Sequence, residues 1–181
     1  MKENFIAENT KAFFITFVTY GTRLQGDVRR SVHKKYNQYG TPTIPPNKNL
    51  NTYQQKLCKF SQMILNKHQR TITLNAIIET CHHSNWLLYA AHVRTNHVHL
   101  LCKSDKSAEK TLAKIKAYST RALNRHYNTR PYWAKHGSTR YLFLESSIIN
   151  VANYIVNEQG SQFACYCNSN LSNKLRDNGY C

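Results

Sequence analysis

Two compact apolar runs, Trp86 to Val93 (WLLYAAHV) and His97 to Lys103 (HVHLLCK), stand only three residues apart, separated by Arg94, Thr95 and Asn96. So short a connection suits an antiparallel hairpin. Within the second strand, side chains alternate faces. His97 and His99 therefore project to one side, and Val98 and Leu100 to the other. Two neutral imidazoles one strand repeat apart can share a divalent ion. From the triplet alone, a pair of histidines on the wet face of a half-buried sheet is the more ready reading.

The rest of the chain supplies partners for that hairpin. Ala12 to Tyr20 (AFFITFVTY) is aromatic and β-branched and reads as a buried strand. Gly21 to Asn49 carries Arg23, Arg29, Arg30, Lys34, Lys35 and three prolines, and reads as a long basic loop. Leu57, Phe60, Ile64 and Leu65 recur at helical spacing within Asn51 to Lys67. Leu74, Ile77, Ile78 and Cys81 follow, so two helices are expected on the sheet. Ser107 to His126 places Leu112, Ile115, Ser119, Ala122 and Leu123 on one stripe, with Lys110, Lys114, Lys116, Arg121 and Arg125 around it: an amphipathic helix with a basic outer surface. Arg140 to Leu144 reads as a short strand. Ser146 to Glu158 reads as a helix with a Ser N-cap, stopped before Gly160. The fold class is α+β, with one domain over residues 1–160 and a loosely ordered Asn/Ser-rich tail over residues 161–181.

Charge narrows the partners. Lys and Arg number 25 against 9 Asp and Glu, a net charge of +16, which calls for a polyanion. The 12 Tyr, 7 Phe and 2 Trp can stack on bases beside cations that neutralise phosphate, which favours nucleic acid over an anionic lipid surface. No apolar run approaches the roughly 18 to 20 residues of a membrane span, and the N-terminus has no signal-peptide core, so a cytoplasmic location without membrane contact is expected. The six cysteines lack a paired CxxC framework and are expected as thiols. Cys81, His82 and His83 are adjacent rather than spaced, a weak zinc signal.

Tyr154 lies on the Ser146 to Glu158 helix. Glu158, four residues on, falls one turn above it on nearly the same face, and Gln159 is offset by about a further 100°. Glu158 can offer a carboxylate beside the tyrosine. Gln159 can offer an amide oxygen if the last turn loosens toward Gly160. Either completes a site of two imidazoles and one oxygen, and the spacing leaves both open.

An ordered set of segments now carries a likeness. Thr19-Tyr-Gly-Thr22 with Gly26-Asp27, Thr95 to Leu101 (TNHVHLL), Lys116 to Asn124 (KAYSTRALN), Trp133 with His136 to Leu142 (HGSTRYL), and Tyr154 to Gly160 occur in this order. The chain resembles the His-hydrophobic-His (HUH) single-tyrosine transposases, the IS200-like group, and within it the REP-associated tyrosine transposase branch. The resemblance implies a ferredoxin-like or RRM-like antiparallel sheet flanked by helices. It implies Tyr154 as the nucleophile that forms a 5'-phosphotyrosine on single-stranded or hairpin DNA, and His97, His99 and one of Glu158 or Gln159 as ligands of Mg²⁺ or Mn²⁺. Many members place a carboxamide at the fourth position after the tyrosine, where this chain has Glu158, so the third ligand stays open. Relatives work as monomers or as homodimers.

Tyr118 is the rival nucleophile, more readily read as a stacking or core tyrosine. Arg23, Arg29, Arg30, Lys114, Lys116, Arg121 and Arg140 are candidate phosphate contacts. Trp133 and Tyr141 are candidate base platforms or core residues, and His136 is expected to be structural. Three functions are consistent with these residues: a DNA strand transferase, a non-catalytic or domesticated nucleic-acid binder on the same scaffold, and a metal-dependent phosphodiesterase using water instead of tyrosine.

Overall fold

A computed structural model describes residues 9–31, 43–161 and 163–180. Lys34, Lys35 and part of the basic loop lie outside the described residues. The elements run β1 (Ala12–Val18), α1 (Lys48–Lys56), α2 (Lys67–His83), β2 (Leu87–Val93), β3 (His97–Lys103), α3 (Ala108–Asn124), β4 (Ser138–Leu142), α4 (Glu145–Val156), β5 (Ala164–Cys167) and α5 (Ser169–Asp177).

The five strands form one sheet in the order β4-β1-β3-β2-β5, with every neighbouring pair antiparallel. The order 4-1-3-2 is that of a ferredoxin-like core, and β5 extends it past β2. Alternation in β1 gives the sheet two apolar faces. Phe13, Ile15 and Phe17 join Val98, Leu100 and Cys102 under α2 and α3, where Ile77, Ile115 and Leu123 complete the larger core. Ala12 and Leu101 join Ile148, Val151, Ala152 and Ile155 of α4 and Leu171 and Leu175 of α5 on the other face. The register pairs Thr16 with His99, and His99 with His92, so these three side chains share that second face.

Three sequence expectations change. The first concerns Asn51 to Lys67, which is not one helix: α1 ends at Lys56 and buries nothing. Residues 57–66 run along the sheet end instead, with Met63 N–H bonded to Tyr20 O at 2.9 Å and Leu65 N–H to Thr95 O at 2.7 Å. Asn66 then opens α2 with a reciprocal capping box to Gln69. The second concerns the tyrosine helix, which has no Ser cap. Leu144 is its N-cap, and it ends at Val156 rather than Glu158. The third concerns the tail, which is ordered after residue 160: β5 pairs with β2, and α5, capped by the Asn168 side chain, buries Leu171 and Leu175. Its polar composition conceals two leucines four residues apart, which on a helix share one face.

Cys81 points into the core, where burial pushes its thiol up to about 12, while His82 and His83 are exposed. The three do not share a site. Among the described residues no helix is long and apolar enough to cross a membrane.

Candidate active site on the open sheet face

Because α2 and α3 both cover one face, the other is free for chemistry at the end that α4 and α5 do not fill. His97 and His99 lie there at the start of β3, ring centroids 4.8 Å apart. Each ring is held by its Nδ1. His97 Nδ1 meets Asn96 Oδ1 at 2.8 Å, and His99 Nδ1 meets Thr16 Oγ1 at 2.9 Å. With Asn96 able only to accept at that oxygen, His97 carries its proton on Nδ1, and its Nε2 keeps a lone pair.

Burial keeps both rings neutral. It pushes His97 down to about 4, helped by the Arg94 and Arg23 guanidiniums. It pushes His99 down to about 3, helped by the neighbouring His97 and His92. Neutral imidazoles are the form that binds a cation.

The apolar stripe of α4 (Ile148, Val151, Ala152, Ile155) fixes its rotation on the sheet and leaves Tyr154 on its shoulder, 38% exposed. The Tyr154 ring stands edge-on to His99 at 5.4 Å and to Phe14 at 6.1 Å. One chain thus brings the tyrosine and both histidines together. Beyond the helix end, Glu158 and Gln159 part company. Glu158 is exposed and accepts a 2.6 Å hydrogen bond from Asn153 Nδ2. Gln159 donates its Nε2–H to Tyr154 O at 3.0 Å, and its side chain is close enough to act on both His97 and His99. With its amide nitrogen on the Tyr154 carbonyl, its carboxamide oxygen is left as a donor atom for a cation. Gly160 (φ +71°) supplies the left-handed turn that ends this excursion. Among the described residues no third His, Cys, Asp or Glu joins the histidine pair.

Two residues of this site were not singled out from the sequence. His92, fully buried, has Nδ1 2.9 Å from Ile155 O and accepts from Phe163 N–H on Nε2 at 3.3 Å. Since Nε2 accepts, Nδ1 carries the proton and donates to the carbonyl next to Tyr154 in the chain. Burial lowers its basicity, which keeps it neutral. The hairpin register, which sets His92 opposite His99, was the available signal. Arg94 N–H closes the hairpin turn on His97 O at 2.9 Å, its Nη1 donates to Ser161 O at 3.2 Å, and its guanidinium lies 4.9 Å over the Phe163 ring.

The candidate phosphate contacts divide by location. Arg140, opposite Phe14 in the β1–β4 register, is exposed on the histidine face. Arg23, at a positive φ of 54°, is close enough to act on His97. Arg29 is held by Asp27 through two side-chain bonds of 2.9 and 2.7 Å, and that guanidinium pulls the Asp27 carboxyl down to about 2. Arg30 reaches Thr43 Oγ1 at 3.5 Å. Lys114 and Arg121 flank the exposed Tyr118 ring on α3, at 6.0 and 5.0 Å, on the opposite side of the sheet from the histidines. Lys116 is turned inward: its Nζ donates to Ala134 O at 2.7 Å and His136 O at 2.9 Å, and burial lowers it to about 8. Trp133 and Tyr141 are core residues, edge-on to Phe17 and Phe13 respectively at 5.0 Å. Tyr118, with the sheet between it and His99, has no part in this site.

A family model described as IS200-like transposase matches residues 54–158. A solved structure described as a REP-associated tyrosine transposase bound to a REP hairpin is 14% identical, with a TM-score of 0.49, over 83% of this chain and 66% of that one. The present chain thus spans just under two thirds of that protein's length. No curated protein matches. The family match covers more than half of the chain, from α1 through the histidine pair to the end of the tyrosine helix, and the chain belongs to the IS200-like transposase family.

Proposed function

We propose that this protein cleaves and rejoins single-stranded DNA at hairpin or palindromic repeats, with Tyr154 as the nucleophile. The observation that carries the reading is the Tyr154 ring edge-on to His99 at 5.4 Å, with the His97 ring 4.8 Å from His99.

The residues fit a divalent cation such as Mg²⁺ or Mn²⁺. Two neutral imidazoles, at least one with its proton fixed on Nδ1, and a carboxamide oxygen make a mixed nitrogen and oxygen donor set. His97, His99 and Gln159 would hold the ion, with Glu158 kept on Asn153. When bound, the ion supplies charge stabilisation at a non-bridging phosphate oxygen.

Tyr154 Oη attacks the phosphorus. A new P–O bond forms to the tyrosine as the bond to the 3'-oxygen breaks, the 3'-oxygen takes up a proton, and the phenol proton passes to solvent. The 5'-phosphotyrosine conserves the phosphodiester energy, and attack by another 3'-hydroxyl reverses the step. Arg23, Arg94 and Arg140, on the histidine face or beside it, serve as phosphate contacts there. Lys114 and Arg121 meet only DNA that reaches the back of the sheet. The resemblance to the REP-associated branch supports hairpin DNA as the substrate.

Incubation of the purified chain with Mn²⁺ and a pool of hairpin-bearing oligonucleotides tests the reading. The expected result is a covalent protein–DNA adduct, lost in Tyr154→Phe and in His97→Ala. Salt-sensitive binding with no adduct under any metal would leave a binder rather than a transferase. Cleavage that survives Tyr154→Phe would indicate a water nucleophile.

A further inference from the structure

The tyrosine helix ends at the histidines but begins at a cavity of about 570 Å³ between α4, α5 and the far ends of β2 and β3. Tyr89, Ile148, Ile149 and Leu171 make an apolar wall, and Lys11, Lys103 and Lys174 stand around it. Among the described residues its one acid, Glu145, is already paired with Lys174 Nζ, so the described lining carries a net positive charge. The Asn170 side chain adds an exposed amide.

Tyr89 is where it is because of an irregularity. The β2–β3 register slips between Leu88 and Ala90, which leaves Tyr89 as the extra residue of a bulge. Strict alternation would place it with Ala91 on the α2 and α3 side; instead it packs against the α4 and α5 cluster. Bulges re-aim single side chains in this way. The cavity thus combines an aromatic ring, aliphatic floor, amide and unneutralised lysines, the combination that takes a heteroaromatic ring bearing a phosphate. It also lies on the histidine side of the sheet. Ile148 is six residues before Tyr154, about 9 Å along the helix axis, so a strand whose phosphate is at Tyr154 can place a neighbouring nucleotide there.

We infer that this cavity is a nucleotide pocket, which holds one unpaired nucleotide of the DNA strand being cut. The inference rests on the proposed function and is tested apart from it. The intact protein is titrated with deoxynucleoside 5'-monophosphates, the matching deoxynucleosides and inorganic phosphate, with methyl NMR signals of Ile148, Ile149 and Leu171 as the readout. The monophosphates should shift these methyls, with the nucleosides and phosphate binding about tenfold more weakly, as expected for losing one charge-assisted contact or the ring burial. Lys11→Ala and Lys103→Ala, both at exposed side chains, should each weaken the monophosphate about tenfold, and His97→Ala should leave it unchanged.

Free nucleotide and DNA strand are separated by a short oligodeoxythymidine. If it displaces the monophosphate and shifts the same methyls, the strand is the ligand. If it leaves them unmoved, or if no monophosphate shifts them, the inference is overturned. An adduct at Tyr154 with no ligand in the cavity sinks the pocket alone. Pocket binding with no adduct sinks the catalytic reading alone.

Discussion

The Asn153 side chain holds Glu158 off the histidines, donating from Nδ2 to Glu158 Oε1 at 2.6 Å. Asn153 is itself largely buried in α4, so the carboxylate is tied to the helix it has just left, and the next residue turns to the imidazoles. The two candidate oxygen ligands are thereby distinguishable by mutation. Gln159→Ala should lower Mn²⁺ affinity at least about tenfold, as expected for a residue at or next to the metal. Glu158→Gln should leave the affinity within about threefold of wild type. Calorimetric Mn²⁺ titration reads both, and the opposite ranking would move the oxygen donor to Glu158.

Tyr154→Phe should separate chemistry from fold. The Tyr154 hydroxyl makes no hydrogen bond among the described residues, and its ring contacts to His99 and Phe14 survive in phenylalanine. Stability should therefore change by less than about 0.5 kcal/mol, while the covalent adduct disappears. A large loss in denaturation midpoint would mean that the hydroxyl has a structural partner.

Much of this arrangement was legible in the sequence because it is local. Strict alternation in β1 and β3 and the three-residue Arg94-Thr95-Asn96 turn fixed which face carries His97 and His99. The α3 stripe through Leu112, Ile115 and Leu123 is likewise a property of one segment. What escaped depends on partners distant in the chain. β5 is four residues long and is a strand only because the β2 edge offers it a ladder. His92 is an ordinary strand residue until α4 sets the Ile155 carbonyl against it. That α4 stops at Val156, before Glu158 and Gln159, is likewise not fixed by periodicity.

Acid should destabilise the protein through its histidines. Both His97 and His99 are depressed from the usual 6.5, to about 4 and about 3, so the unfolded chain takes up protons first as pH falls. Stability from these groups is complete above about pH 6.5, falls progressively below it, and is fully lost once pH has dropped through 4 to 3. The loss should amount to a few kcal/mol. Urea denaturation at pH 7 and pH 4.5 measures it. In His97→Ala/His99→Ala the difference between the two pH values should shrink, and an unchanged difference would place the acid sensitivity elsewhere.

Basic residues should divide into phosphate contacts and internal ties. Arg140 has no acidic partner among the described residues and stands on the histidine face, so Arg140→Ala should reduce the slope of log affinity against log salt by about one for single-stranded DNA. Lys116→Met should leave that slope alone and instead cost about 1 to 3 kcal/mol of stability, because it strips the donor from the Ala134 and His136 carbonyls. Filter binding at several salt concentrations, beside thermal melts, reads both. A slope change in Lys116→Met with an unchanged melt would return it to the DNA surface.

The segment after Gly160 should behave as part of the domain. Leu175 is 1% exposed and packs with Leu171 against Ile148, Val151 and Ile155, the same residues that seat the tyrosine helix. Leu175→Ala should therefore cost about 2 to 5 kcal/mol, the range for a leucine cut from a packed core. The consequence should reach the active site, since α4 carries Tyr154 on the helix that this cluster holds down, and adduct formation should fall even where the variant remains folded. His92 adds to the same tie from below, through the Ile155 carbonyl and the Phe163 amide. Hydrogen exchange on α4 and β5 in Leu175→Ala, compared with α2, reads this directly. Faster exchange confined to α4, α5 and β5 is the expected pattern, and a melt indistinguishable from wild type would show the tail to be dispensable.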